Sequence, residues 1–147
     1  MKQLVLIFLA AFMTLSLAAQ TKSVNTTTSK IGWKAYKVTG SHEGTINVKS
    51  GSLTFNGENL SGGEFVIDMN SINCTDLQGK GKSGLEGHLK SDDFFAVATN
   101  PEANFKITRV VSRGKPGDYK VLGTLTIKGI SKEIKFDAMV SAGSATA

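Results

Sequence analysis

Apolar and polar residues alternate along six stretches of the chain, which is the period of a β-strand with one buried face. In residues 30–38, the apolar side chains of Ile31, Trp33 and Ala35 fall on one face. The other stretches are residues 45–55, 62–72, 103–111, 118–128 and 130–140.

Two connections between these stretches are so short that the strands they join must be antiparallel neighbours. They are "KG" at residues 128–129 and "GKPGD" at residues 114–118. Glycine is frequent (16) and proline is scarce (2), which is typical of strands joined by tight turns. Antiparallel strands with one apolar face each pack as a sandwich or close into a barrel. The pattern therefore predicts an all-β fold.

The second stretch contains a change of parity. Ile46 and Val48 occupy even positions, whereas Leu53 and Phe55 occupy odd positions. One extra residue in a β-bulge keeps both pairs on the same face and bends the strand. We therefore predict a bulge at Ser50–Gly51, with all four apolar side chains facing one interior.

Between the third and fourth stretches, the spacing of apolar residues changes from two residues to four. Ser83 is followed three residues later by Glu86, the spacing of a capping box. Leu85 and Leu89 then form an apolar stripe. These features predict one short helix over residues 84–90, with Ser83 as its N-cap.

The run "SDD" follows this helix. It predicts a second N-cap at Ser91, with Asp92 and Asp93 at the favourable N-terminal end of a following turn.

The first twenty residues, "MKQLVLIFLAAFMTLSLAAQ", have the composition of a secretory signal peptide. Lys2 precedes an apolar run from Leu4 to Leu15, which ends in small residues around Ala19. The run is too short for a full membrane span, and charged residues interrupt the remainder of the chain. We expect residues 1–20 to be removed on export and residues 21–147 to form one domain in the periplasm or outside the cell, without stable membrane insertion.

The formal charge of +5 comes from lysines scattered along the chain. Nucleic-acid-binding proteins usually cluster such residues among aromatic side chains. No nucleic-acid partner is therefore expected, and the lysines are interpreted as the solvated faces of strands. Cys74 is the only cysteine, so it has no partner for an intramolecular disulfide, and we expect it to be a small buried residue at a strand end.

Several groups resemble catalytic or metal sites but fit them poorly. The run "GKGKS" at residues 79–83 lacks the first glycine of a phosphate-binding loop. His42 and His88 are far apart in sequence with no paired-ligand spacing, so structural hydrogen bonding is expected instead of a metal site. Asp92 and Asp93 are consecutive, so they can hardly act together on one glycosidic bond. No catalytic residue, metal or cofactor is predicted.

The chain resembles the YceI-like family of exported polyisoprenoid-binding proteins. The similarity is carried by "SHEGTINVKSGSLTF", "GGEFVIDMNSI", "GHLKSDDFF", "PEANFKIT" and "GTLTIKGISKEIKF", in this order and spacing. The resemblance implies an extended, lipocalin-like antiparallel β-barrel that holds a polyisoprenoid or similar long-chain lipid. It implies no enzymatic activity.

On this interpretation the apolar faces of the strands, the helix and the two phenylalanines after it line the lipid site. The expected lining residues are Trp33, Ile46, Val48, Leu53, Phe55, Phe65, Ile67, Met69, Leu85, Leu89, Phe94, Phe95, Phe105, Ile107, Val121, Leu125, Ile127, Ile134 and Phe136. For Phe94 and Phe95, simple core packing is an equal alternative to ligand contact.

The chain departs from the family at its C-terminal end, where the family continues with further strands. Six strands do not easily close such a barrel. We therefore expect an incomplete barrel, in which the far edge of the strand over residues 130–140 is unpaired beside the first strand around Trp33.

Two other functions remain open. One is an exported stress-associated or interaction module whose interior is packed solid, with Trp33, Phe55, Phe65 and Phe136 meeting at its centre. The other is a hydrolase or isomerase, which would need titratable groups converging inside the barrel. The inward faces carry almost none.

Overall fold

The computed structural model describes residues 19–141 and 144–147, so the predicted signal peptide lies almost entirely outside the described residues. The described part contains eight strands and one helix. These are β1 (Gln20–Ser23), β2 (Lys30–Lys37), β3 (Gly40–Asn56), β4 (Asn59–Cys74), α1 (Gly79–Lys90), β5 (Glu102–Ser112), β6 (Asp118–Ile127), β7 (Ile130–Ser141) and β8 (Ser144–Thr146).

The strands form one antiparallel sheet that curls into a half-barrel. The prediction of an all-β fold is confirmed. Its order is β1-β3-β4-β5-β6-β7-β8, and β2 also pairs with β3. All six predicted strands are present. The two additional strands, β1 and β8, are short and polar, so no alternation of apolar residues marks them in the sequence.

β1 and β2 share the same edge of β3. β1 pairs with the end of β3 (Lys22 opposite Leu53), and β2 pairs with its beginning (Trp33 opposite Gly44). The turn between them is held by Asn25, whose Oδ1 accepts hydrogen bonds from the backbone amides of two following threonines at 3.0 and 3.3 Å. Such local side-chain bonds are how asparagine stabilises turns.

A bulge in β3 is present, but it lies at Lys49, just before the predicted Ser50–Gly51. The register with β4 shifts between Val48 and Ser50, so Val48 lies opposite Ile67 and Gly51 lies opposite Phe65. The extra residue restores the parity, and Leu53 packs with the apolar residues of the interior.

The helix is longer than predicted, and its predicted cap is wrong. It begins after Gln78, whose backbone is extended and whose side chain makes no cap. Ser83 lies inside the helix, where its hydroxyl donates to carbonyls of the preceding turn. Glu86 does not bond back to Ser83; instead its Oε1 accepts from the backbone amide of Cys74 at 2.8 Å and so attaches the helix to the end of β4.

Ser91, directly after the helix, does not have its predicted role as an N-cap. Ser91 is the C-cap of α1, and its hydroxyl donates to the carbonyl of His88 at 2.7 Å. It does not cap a new helix. A turn does follow, closed by the backbone amides of Phe94 and Ala96 donating to the Ser91 carbonyl at 3.1 and 2.8 Å.

The edge of β7 is partly paired. β8 pairs with the last three residues, from Met139 to Ser141, which the six-strand prediction missed. Along residues 130–138, the described part of the chain provides β7 with a partner only on its β6 side. The predicted gap between β7 and the β2 edge is therefore confirmed within the described residues.

Candidate functional site

The concave face of the sheet carries two apolar clusters. The first lies under α1 and the irregular segment that follows the helix. Its buried members are Ile46, Met69, Ile72, Leu89, Val97 and Ala103, and Ile31, Trp33, Ile67, Leu85, Phe95 and Ile127 pack against them. Here a helix and a loop cover the sheet, so the cluster is an ordinary core.

The second cluster forms the rest of the concave face, and we refer to it as the trough. Its buried members are Phe55, Leu60, Phe105, Tyr119 and Val121; Leu53, Phe65, Ile107, Val110, Leu125, Ile134, Phe136, Ala138 and Val140 are only partly buried. Every member lies on β3 to β7, so no helix or loop of the described chain contributes to it. A sheet face that is apolar and partly exposed over this many side chains is typical of a binding surface.

Three phenylalanines form the base of the trough. The Phe105 ring lies between those of Phe65 and Phe136, with ring centroids separated by 6.4 and 5.5 Å. The Phe105 ring also lies over Gly123, where a side chain would collide with it. Gly123 thus leaves space for the rings of Phe65, Phe105 and Phe136, which we call the aromatic floor.

Trp33 lies elsewhere. It packs against the first cluster, and its Nε1 donates to the carbonyl of Thr45 at 3.2 Å. The four aromatic residues that a solidly packed interior would bring together are therefore divided between two clusters.

Nearly all of the predicted lining residues belong to these two clusters. The exceptions are Val48, which is buried outside both, and Phe94, whose side chain is 44% exposed. Phe94 contacts the rings of Phe95 and His88 edge-on, with centroids 4.6 and 5.8 Å away. Of the two consecutive phenylalanines, Phe95 is thus part of the core and Phe94 lies at its rim. Ligand contact by any of these residues stays a prediction.

Sequence reasoning missed three large buried residues, as well as the small Ala96 and Ala103. Leu60 follows the β3–β4 turn, and Ile72 comes after a register shift in β4 that breaks the alternation. Val97 lies in the irregular segment after the helix, where no period exists to find it. A turn boundary and a bulge were the only signals available for the first two.

A network of hydrogen bonds surrounds Asp76, just after the end of β4. Its carboxylate accepts from the Cys74 thiol at 3.0 Å and from the Glu43 amide at 3.2 Å, and it pairs with His42 Nδ1 at 2.9 Å. These bonds hold the pKa of Asp76 well below its usual range, and the bond from Cys74 has the largest effect.

Cys74 itself is fully buried at the end of β4, as predicted. Burial and the bond to Asp76 raise the pKa of its thiol. A thiol is nucleophilic only when ionised, so this cysteine is a structural hydrogen-bond donor. The predicted structural role of His42 is confirmed by the same network.

The lysines of "GKGKS" do not surround an anion site. Lys82 Nζ donates to Asn73 at 2.7 Å and lies 3.6 Å from Glu86, so its charge is already paired. Across residues 19–141 and 144–147, no three His, Cys, Asp or Glu side chains converge as metal ligands. No helix in this part of the chain is both long and apolar enough to cross a membrane.

A depression of about 470 Å³ opens on the opposite, convex face of the sheet. Its rim includes Glu64, Asn104, Lys106, Thr124 and Thr126. Phe65, Val66 and Phe105 also line it. The charged side chains of Glu64 and Lys106 nevertheless make the depression less suited to a hydrocarbon chain than the trough is.

The comparisons with known proteins agree on one family. A family model described as a YceI-like domain matches residues 22–147. A UPF0312 protein of Vibrio parahaemolyticus is 31% identical over 124 residues, covering 82% of this chain and 59% of the relative. A UPF0312 protein of Pectobacterium carotovorum is 33% identical over 95 residues, covering 65% of this chain and 46% of the relative. The chain thus spans about half the length of these relatives.

Solved structures resemble the chain at lower identity. A Campylobacter jejuni YCEI protein is 19% identical with a TM-score of 0.48, covering 97% of this chain and 70% of that one. Burkholderia cenocepacia BcnA is 16% identical with a TM-score of 0.47, covering 86% of this chain and 70% of that one.

Proposed function

The chain belongs to the YceI-like family, and on that premise we propose that it binds a long-chain isoprenoid or a similar lipid in the trough. It would act as a carrier or reservoir, without catalysing a reaction. The observation that carries this proposal is the open apolar face made by the second cluster.

Hydrocarbon binding in such a trough needs no directional contact. Transfer of each methylene unit from water to an apolar surface contributes roughly 0.8 kcal/mol before the entropy lost on binding. The partly buried side chains of Leu53, Ile107, Leu125, Ile134 and Phe136 offer the surface for this transfer. Selectivity between ligands would come mainly from the length and width of their hydrocarbon chains.

The place of action we propose is the periplasm or the exterior of the cell. The N-terminal run from Lys2 through Leu15 to Ala19 supports this part of the proposal, since it has the composition of a cleavable leader. A lipid that must cross an aqueous compartment needs a carrier that shields its chain from water.

The alternative of a solidly packed interaction module is less well supported. It requires Trp33, Phe55, Phe65 and Phe136 at one centre, but Trp33 packs with the first cluster and the other three with the second.

The test is mass spectrometry of lipid extracted from the full chain after purification from a bacterial host. A long-chain lipid in near-stoichiometric amount is expected. Leu125→Arg, which places a charge in the trough, should lose most of this lipid because an unpaired charge among apolar side chains opposes hydrocarbon binding.

Thr124→Arg is the matched control. Thr124 is the neighbouring residue on the convex face and the substitution changes the net charge equally, so it should retain the lipid. Lipid-free wild type that also fails to take up added long-chain lipid would overturn the proposal, as would equal loss in both variants.

A further inference from the structure

Strand β7 exposes backbone hydrogen-bonding groups along most of its outer edge. Its last three residues pair with β8, but over residues 130–138 the described chain pairs it only with β6, in an uninterrupted register. The backbone amide of Val140 donates to the carbonyl of Gly117 at 2.8 Å, on the β6 side. Successive residues of a strand direct these groups to opposite edges, so the amides and carbonyls of residues 131, 133, 135 and 137 point away from β6. Such groups are a template for another strand.

Two charged side chains on this edge have no partner of opposite charge within the described chain. Glu133 and Lys135 lie on the convex face, where the residues opposite them on β6 are uncharged. Neither forms an ion pair with any described residue. Asp137, the next residue on this face, differs because Arg113 and Lys120 neutralise it.

A second copy of β7 pairs both the backbone groups and the charges in one register. Ile134 is the middle residue of the free edge, so an antiparallel pair with its two-fold axis at Ile134 overlaps residues 130–138 of both copies completely. Glu133 then lies opposite Lys135 of the second copy, and Lys135 lies opposite its Glu133. An axis at Glu133 or at Lys135 would place like charges opposite each other. An axis further toward the end of β7 would bring the second strand against β8.

The same register covers apolar side chains on the concave face. An axis perpendicular to the sheet keeps both concave faces on one side, so the two troughs join into one surface. The Ile134 side chains of the two copies meet at the axis. Ile130, which is 62% exposed in the single chain, lies opposite Ala138 of the second copy. Burial of this apolar surface adds to the pairing of the backbone groups.

We infer that two copies of the chain associate through residues 130–138 of β7 as an antiparallel, two-fold symmetric dimer. The contact uses the same patch on both copies and therefore closes on itself. Main-chain hydrogen bonds supply the affinity of such strand addition, and the facing side chains supply its specificity. A single strand edge is a small interface, so the dimer should be in reversible equilibrium with the monomer. The inference does not depend on lipid binding in the trough.

The test is sedimentation equilibrium of the purified protein over a range of concentration, where wild type should show a monomer–dimer equilibrium. Glu133→Lys places a lysine opposite Lys135 of the second copy and should weaken the dimer about tenfold, since each of two exposed charge pairs contributes up to roughly fivefold. Lys135→Glu should weaken it similarly. A mixture of the two variants restores opposite charges at both positions and should dimerise as tightly as wild type. Glu64→Lys, the control, makes the same charge change on the convex face of β4 and should leave the dimer unchanged.

A cysteine at the axis tests the register. Directly opposite residues in a pair without mutual backbone hydrogen bonds have Cα atoms about 4.5 Å apart, within reach of a disulfide. Mild oxidation should therefore link two copies of Ile134→Cys. Lys132→Cys, which in this register lies well away from its counterpart, should stay unlinked, and the native Cys74 is fully buried.

A monomer at every concentration would overturn the inference. Equal weakening by Glu133→Lys and Glu64→Lys would also overturn it, as would a mixture of the two edge variants that dimerises no better than either alone. Equal cross-linking of the two cysteine variants would show that the strands do not pair about Ile134.

Discussion

Gly123 shows how a single residue shapes the trough. A methyl group at this position would overlap the ring of Phe105 and lie 2.6 Å from the carbonyl oxygen of Lys106. The ring is part of the aromatic floor and the carbonyl belongs to the neighbouring strand, so neither can move without disturbing the sheet.

We therefore expect Gly123→Ala to lower the free energy of unfolding by about 1–3 kcal/mol, the usual cost of overpacking. The measurement is urea denaturation followed by circular dichroism. Gly62→Ala is the control: its methyl group would meet nothing closer than Thr54 Cβ at 3.9 Å, and it should be neutral or stabilising by about 0.5 kcal/mol. Equal destabilisation by both variants would contradict this account.

Asp76 links stability to pH. Its pKa is lowered in the folded protein by hydrogen bonds from Cys74 and His42, relative to the ordinary value of 3.8. A lowered folded pKa adds stability that is complete above the unfolded pKa and is lost as pH falls toward the folded pKa.

Asp76→Asn should therefore be less stable than wild type at pH 7. The difference between the two urea midpoints should shrink as pH falls below about 4, because the wild-type carboxylate then becomes protonated in the unfolded state first. Asp93→Asn, an exposed acidic residue for which the structure shows no hydrogen bond, should show no such trend. A constant difference between pH 7 and pH 2.5 would contradict the linkage.

At the scale of elements, α1 owes its position to tertiary contacts. Its sequence contains four glycines, which weaken a helix by about 1 kcal/mol each relative to alanine. Leu89 is buried in the first cluster, and Glu86 accepts the amide of Cys74 at the end of β4. The helix is therefore held by its attachment to the sheet more than by its own propensity.

Gly84→Ala should raise the free energy of unfolding by about 0.5–1 kcal/mol, because alanine favours the helix and its methyl group meets no atom within 4 Å. Gly79→Ala is the contrasting variant. Gly79 has a φ of +55°, so alanine there should cost about 1 kcal/mol. The two thermal melting shifts should have opposite signs; shifts of the same sign would show that the helix start is assigned wrongly.

For the whole molecule, the decisive feature is an open sheet. Over residues 130–138, β7 pairs only with β6, and β2 pairs only with β3, within the part of the chain that the structure describes. Open edges with apolar neighbours favour association between molecules. Ile130 on β7 and Tyr36 on β2, 62% and 79% exposed, lie on these two edges.

Extending this chain by two family-like strands should raise its melting temperature and reduce self-association, since the new strands would pair with the free edge of β7. Thermal melting and size-exclusion chromatography of the two forms measure this directly. If the present chain is monomeric and melts as high as the longer one, the open edges cost nothing and the trough is closed in another way.

The fold was predictable wherever one face of a strand is apolar. Alternation located six strands, and the parity change from Val48 to Leu53 located a bulge, because both follow from the two-residue period of a strand. The polar edge strands β1 and β8 carry no such signal and were missed. The helix was found from Leu85 and Leu89, but its beginning was misplaced because Ser83 and Glu86 fit a capping box equally well from inside the helix.

The sequence by itself therefore determined the all-β class, the inward faces and the apolar character of the trough, since these depend on the spacing of residues along one chain. The tertiary structure decided which residues meet. It separated Trp33 from the aromatic floor, placed Phe94 at the rim and Phe95 in the core, and brought Cys74 and His42 to Asp76. The physical reason is that these contacts depend on strand order and register, which join residues far apart in sequence and are set by the packing of the whole sheet.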